Sequence, residues 1–112
     1  MFEAANPMER MRVRNDIIER RNRVEMESRT LVDTIAEKTQ ALVKLSGKIP
    51  EYETAVKLSS STKLKEEYRL LLKKMIDDKT RLEEDIKTTN KRIVELRRES
   101  AELYEDIKRL AG

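Results

Sequence analysis

The sequence predicts an all-α fold, a long antiparallel coiled-coil hairpin of two helices, from three observations. The 112 residues include 42% charged residues but only one Phe, three Tyr and no Trp, too few large rings for a compact globule. Two glycines and two prolines are too few turn-forming residues for a β or α/β fold. Apolar residues recur at heptad spacing, which argues against the disorder that high charge alone would indicate. We take residues 1–112 as a single coiled-coil domain and expect a dimer or four-helix bundle.

The first helix is predicted to span residues 7–46. Asn6 can cap its free N–H groups, and Pro7 suits the first helical position because its missing donor is not needed there. Glu9 follows Asn6 by three residues, the spacing of a capping box. Gly47 then supplies a left-handed stop, so we expect the helix to end directly before it.

The bend of the hairpin is predicted over residues 47–62, as a loop or a short helix. Pro50 can open a short helix over residues 51–58, and the Ser/Thr run at 59–62 contains weak helix formers and an N-cap. The second long helix is predicted over residues 63–110, a span without Gly or Pro.

Each predicted helix carries an apolar stripe whose members alternate steps of three and four residues. This spacing keeps one helix face against a partner, so the stripes predict a buried seam. The apolar seam residues are Ile17, Val24, Leu31, Ile35, Leu42 and Leu45 in the first helix, and Leu72, Met75, Leu82, Ile86, Ile93, Leu96, Leu103 and Ile107 in the second. Four cations also fall on the stripes, and in a parallel dimer each would meet its own copy. They are Arg14, Arg21, Lys38 and Lys79. The antiparallel hairpin avoids these clashes.

The hairpin register is predicted from which stripe residues can face each other. We expect paired residue numbers that add to 110, such as Ile17 with Ile93 and Val24 with Ile86. That register places the turn inside the predicted bend. The alternative is a kinked continuous rod, which a helix running straight through Pro50 would favour.

Four apolar residues lie directly beside the stripes and widen the apolar face. They are Ile18, Val32, Ile76 and Tyr104. A thin helical pair buries little surface by itself, so this wider face favours self-association of the chain or binding to another helical protein.

Two windows of the sequence are strongly basic. Residues 10–23 contain six arginines against two acidic residues, and residues 87–98 contain five basic residues against Glu95, a net of +4 each. The predicted register would place the windows side by side, at a combined +8. Such a patch could bind the phosphates of nucleic acid or the acidic tails of tubulin, although a solvated charged face is the simpler interpretation. The candidate polyanion-binding residues are Arg10, Arg12, Arg20, Arg23, Lys87, Lys91, Arg92, Arg97 and Arg98.

The composition argues against an enzyme. The chain has no His and no Cys, which removes the commonest general base, the thiolate nucleophile and the usual metal ligands. No glycine-rich phosphate-binding motif is present. We therefore predict no catalytic, cofactor-binding or metal-binding residue and no small-molecule substrate.

The sequence thus favours a non-catalytic coiled-coil assembly or scaffold module that mediates self-association or binding of a partner protein. The alternative is a basic coiled coil that binds an acidic polymer, either microtubules, as in a cytoskeletal or chromosome-segregation protein, or nucleic acid. No run of 18 apolar residues occurs, so we expect a soluble intracellular chain without a transmembrane segment, in a compartment that the sequence leaves open.

Overall fold

A computed structural model of the chain describes residues 6–111, which form two long helices. Helix α1 spans Pro7–Leu58 and helix α2 spans Thr62–Ala111, and residues 6–111 contain no strand. The two helices pack against each other as a hairpin. This confirms the predicted all-α helical hairpin. Within residues 6–111, neither helix has a stretch apolar enough to span a membrane.

Side-chain caps define the N-terminus of each helix. The Glu9 backbone N–H donates to Asn6 Oδ1 over 2.9 Å, as the sequence predicted for the start of α1. At the start of α2, the Leu64 backbone N–H donates to Ser61 Oγ over 3.3 Å. Because these hydroxyl and amide oxygens satisfy N–H groups that have no partner within the helix, they favour helix starts at these two points.

The predicted end of the first helix at residue 46 is wrong, and so is the separate short helix over 51–58. Helix α1 continues through Gly47 and Pro50 as far as Leu58. Gly47 does not adopt a positive φ, so it is an ordinary helical residue and not a left-handed stop. The non-helical part of the bend is confined to residues 59–61.

Packing of stripe residues explains why helix α1 continues beyond Pro50. Ile49, Tyr52 and Val56 continue the seam stripe, and all three are half-buried. The Tyr52 ring packs edge to face against Tyr68 of α2, with centroids 5.8 Å apart. These contacts offset the roughly 3 kcal/mol that an interior proline costs, so the helix persists and the chain turns afterwards.

The cross-helix contacts also correct the predicted register. Arg20 pairs with Glu99 and Tyr52 packs on Tyr68, so the residue numbers of contacting pairs add to 119 and 120 instead of 110. The prediction compared registers one heptad apart. Seam residues recur every 3.5 residues on average. A shift smaller or larger than a whole heptad can therefore also bring the two stripes face to face. A sum near 120 centres the turn at Ser60, inside the observed break.

The residues group into two compact units along the hairpin. The terminal unit contains residues 6–33 and 90–111 of the described chain, and the bend unit contains residues 34–89. Of the residues that the structure describes, the buried apolar ones all belong to the terminal unit: Val24, Ile93, Leu96, Leu103 and Leu110. The seam of the bend unit is half-buried throughout.

Candidate interaction surface

Every predicted apolar seam residue is buried or half-buried in the structure. Val24, Ile93, Leu96 and Leu103 are buried. The others are half-buried: Ile17, Leu31, Ile35, Leu42, Leu45, Leu72, Met75, Leu82, Ile86 and Ile107. In the terminal unit, Ile17 and Leu31 pack against the cluster of Val24, Leu96 and Leu103. Leu96, with 0% of its surface exposed, is the centre of that cluster.

The seam of the terminal unit has two flanks with different chemistry. A residue directly before a seam position and a residue directly after it lie on opposite flanks of the stripe, because successive helical residues are rotated by about 100°. The charged side is formed by residues that directly precede seam positions: Arg20, Glu27, Arg92 and Glu99. The tyrosine side is formed by residues that directly follow positions of the stripe. These residues are Met11, Asn15, Ile18, Asn22, Glu25, Arg29, Val32, Val94, Arg97, Ala101, Tyr104 and Lys108.

Reciprocal ion pairs between the helices neutralise the charged side. Arg20 Nη2 lies 3.0 Å from Glu99 Oε1, and Arg92 Nη2 lies 3.3 Å from Glu27 Oε1. The pKa of Arg92 is raised above its ordinary value, chiefly by the negative charge of Glu27. Arg23 lines the same shallow depression as these four residues. The charged side is therefore an internally paired, hydrated surface.

A polar network on the tyrosine side accommodates the arginine at the seam. Arg21 Nη2 lies 3.2 Å from a Glu25 carboxylate oxygen, and Arg21 Nε donates to Ser100 Oγ over 3.2 Å. Ser100 in turn donates to Glu25 over 3.2 Å. The guanidinium carbon of Arg21 lies 4.7 Å from the centroid of the Tyr104 ring, and Lys108 Nζ lies 4.9 Å from the same centroid. The tyrosine ring thus contacts two cations through its π system.

The rest of the tyrosine side leaves apolar surface in contact with solvent. Val94 is 55% exposed, Tyr104 is 44% exposed and Met11 is 64% exposed. Ala101 is also exposed, and Ile18 is half-buried. These apolar groups share one flank with Asn22, Glu25 and Arg97, whereas the four ion-paired residues lie on the opposite flank.

The predicted basic patch of +8 is wrong, because it depended on the register of 110. The observed register places residues 10–23 level with residues 97–110 of α2. Residues 97–110 contain four basic and four acidic residues, so the first basic window lies beside a neutral segment. Each helix instead places a glutamate opposite an arginine of the other, at Glu99 and Glu27.

Of the candidate polyanion-binding residues, the structure brings Arg20, Arg23 and Arg92 together in one depression, which Glu27 and Glu99 also line. Arg20 and Arg92 are in ion pairs, and Arg23 lies between them. Arg97 lines a depression on the tyrosine side together with Glu25. Most of the others are exposed or half-buried in the terminal unit without being brought together: Arg10, Arg12, Lys91 and Arg98. Lys87 belongs to the bend unit.

We also searched the described residues for a metal site and compared the chain with known proteins. Among residues 6–111, no three acidic side chains converge in a way that could hold a metal ion. No protein-family model matches the chain, and neither a curated protein nor a solved structure is significantly similar to it.

Proposed function

We propose that this chain is a non-catalytic coiled-coil assembly module that self-associates through the tyrosine side of its terminal unit. The difference between the two flanks of the seam carries the proposal. On the charged side, Arg20 forms an ion pair with Glu99 and Arg92 forms one with Glu27. The tyrosine side leaves apolar groups in water, at Val94 and Tyr104 among others.

The energetic reason is the removal of that apolar surface from water. Burial contributes roughly 25 cal/mol for each Å² of apolar surface, and aromatic side chains contribute most of the energy at many interfaces. A two-helix hairpin buries two seam positions per heptad. When the position after the seam is also apolar, as at Ile18, Val94 and Tyr104, the helices present the wider apolar face typical of a four-helix bundle.

Binding to an acidic polymer has less support. The proposal of a polyanion site relied on two basic windows lying side by side, and in the structure Arg20 and Arg92 are each engaged by a glutamate. Phosphate or tubulin tails would have to displace these ion pairs. Tight binding at low salt that is lost on replacing the exposed Arg12 and Arg98 with Glu would favour this alternative.

A pair of matched substitutions tests self-association. Val94→Lys places an ammonium on the tyrosine side, whereas Met26→Lys, in the same unit, replaces a 70% exposed residue that lies on neither flank. Val94→Lys is expected to weaken association by about tenfold or more, because burying an unpaired charge costs more than 1.4 kcal/mol. Met26→Lys is expected to leave it unchanged.

The readout is molar mass by light scattering over a concentration series. Circular dichroism serves as the check that both variants keep the helicity of the parent chain, and Lys is a better helix former than Val. Equal association of Val94→Lys and the parent chain would contradict the proposal.

A further inference from the structure

We propose that the open end of the hairpin binds a small molecule that carries a carboxylate on an apolar group, and that Arg10 and Arg14 bind the carboxylate. The open end comprises residues 7–14 of α1 and residues 110–111 of α2, all within the terminal unit. The site does not require the proposed self-association, so the failure of either one leaves the other standing.

Arg10 and Arg14 occupy neighbouring positions of the stripe on α1. Arg14 precedes Ile17 by three residues and Arg10 precedes Arg14 by four, the steps that the rest of the stripe follows. The two arginines are therefore one helical turn apart on one face, about 6 Å along the axis. Both are half-buried and line a single depression with Leu110 and Ala111 of α2. Two cations at this spacing repel each other, which an anion bound between them would offset.

The Nε atoms of both arginines are buried without an acceptor in the described chain. Neither atom has a hydrogen-bond partner among residues 6–111, and none of the ion pairs there includes either arginine. The acidic residues near the end of α2 are paired within that helix. Glu105 Oε1 lies 3.3 Å from Lys108 Nζ, and Asp106 Oδ1 lies 3.5 Å from Arg109 Nη1. Because a buried N–H without an acceptor destabilises a protein, an anion that accepts from both Nε–H groups would bind favourably here.

A third arginine of the same stripe provides the contrast. Arg21 Nε donates to Ser100 Oγ over 3.2 Å, and Arg21 Nη2 lies 3.2 Å from a Glu25 carboxylate oxygen. The chain thus provides both an acceptor and a carboxylate for the arginine further inside the terminal unit. At the open end, an external carboxylate can take both roles.

The lining of the depression decides which anion fits. Pro7 and Met11 of α1 and Leu110 and Ala111 of α2 line it beside the arginines, and its volume is about 400 Å³. Met11 is 64% exposed, so its apolar surface is available to a ligand. Guanidinium groups bind carboxylates and phosphates alike through paired hydrogen bonds, but a free phosphate leaves the apolar part of the depression unused. A carboxylate with a short alkyl chain uses both parts, as ligands do in sites that combine apolar walls with a few polar groups.

Octanoate is the probe for this site. We would titrate the isotope-labelled chain with sodium octanoate at constant ionic strength and follow the arginine Nε–H signals by nuclear magnetic resonance. Saturable shifts of the Arg10 and Arg14 signals are expected. Acetate lacks the alkyl chain and octanol lacks the carboxylate, so each should bind at least about tenfold more weakly. Inorganic phosphate that binds as tightly as octanoate would overturn the assignment of an apolar carboxylate.

Two double variants of equal net charge separate this site from general charge attraction. Arg10→Gln with Arg14→Gln removes both guanidinium groups and is expected to weaken octanoate binding by about tenfold or more. Arg12→Gln with Arg23→Gln removes two exposed arginines of the same helix and should change binding by less than about twofold. Circular dichroism would show whether both variants keep the helicity of the parent chain. Equal binding by the two variants, or no saturable shift in the parent chain, would overturn the proposal.

Discussion

At the scale of single residues, Arg21 shows how a polar side chain can occupy a seam. Its guanidinium leaves the seam, stacks on Tyr104, and bonds to Glu25 and to Ser100 of the other helix. Polar residues at seam positions generally cost stability but disfavour alternative registers, because a shifted partner would leave them unsatisfied. Arg21 and Ser100 together therefore favour the observed register over its neighbours.

Leu96 is the residue whose packing matters most for the hairpin. It is 0% exposed and clusters with Val24 and Leu103. Replacing it with Ala is expected to lower the free energy of unfolding by about 2–5 kcal/mol, the usual cost of a cavity at a fully buried leucine. Urea denaturation followed by circular dichroism would measure this, at one fixed protein concentration because the proposed association would contribute to stability.

Leu70→Ala is the control for this substitution, because Leu70 lies on the same helix and is 67% exposed. Its effect is expected to stay within about 0.5 kcal/mol, as for most surface substitutions. Equal losses at the two positions would mean that Leu96 does not occupy the centre of the packed cluster.

At the scale of elements, the continuity of α1 through Pro50 predicts how substitutions there change the free energy of unfolding. The proline lacks the N–H that would complete the helical hydrogen-bond ladder, and it is exposed. Pro50→Ala is therefore expected to raise the free energy of unfolding, by up to about 3 kcal/mol. Gly47→Ala should raise it by about 1 kcal/mol, since a Cβ at that position meets nothing within 4 Å. Urea denaturation would check both; destabilisation by either substitution would argue against a continuous helix.

The helices themselves could be predicted from the sequence, but the position of their turn could not. The stripe of apolar residues at steps of three and four is a local periodicity. It therefore predicts a helix whichever other helix the stripe packs against. Gly47 and Pro50 are also local signals, and here the helix continues past them because Ile49, Tyr52 and Val56 extend the packed stripe. The turn falls at the serine run that begins at Ser59, which lies inside the predicted bend of residues 47–62 and was recognised there as weak helix formers with an N-cap.

The interaction surface could be predicted in part. Ile18 and Tyr104 were recognisable as apolar neighbours of the stripes. The ion-paired flank was missed because it depends on the register. A signal was present in the residues preceding seam positions: Arg20 and Glu27 in the first helix complement Glu99 and Arg92 in the second, and matching them selects a sum of 119.

At the scale of the whole molecule, the two units differ in how well they are packed. The buried apolar side chains of the described residues all lie in the terminal unit, whereas the seam of the bend unit is only half-buried. A surface presented by a well-packed unit loses less conformational entropy when it binds. The tyrosine side therefore lies where an interface can be preorganised.

Sedimentation equilibrium of the unmodified chain tests the central claim, self-association, most directly. The chain has a mass of 13.2 kDa. Association of two copies requires the apparent mass to rise with concentration towards twice this value, with helicity unchanged. A mass that stays at 13.2 kDa up to the highest soluble concentration would show that the tyrosine side does not bind a second copy.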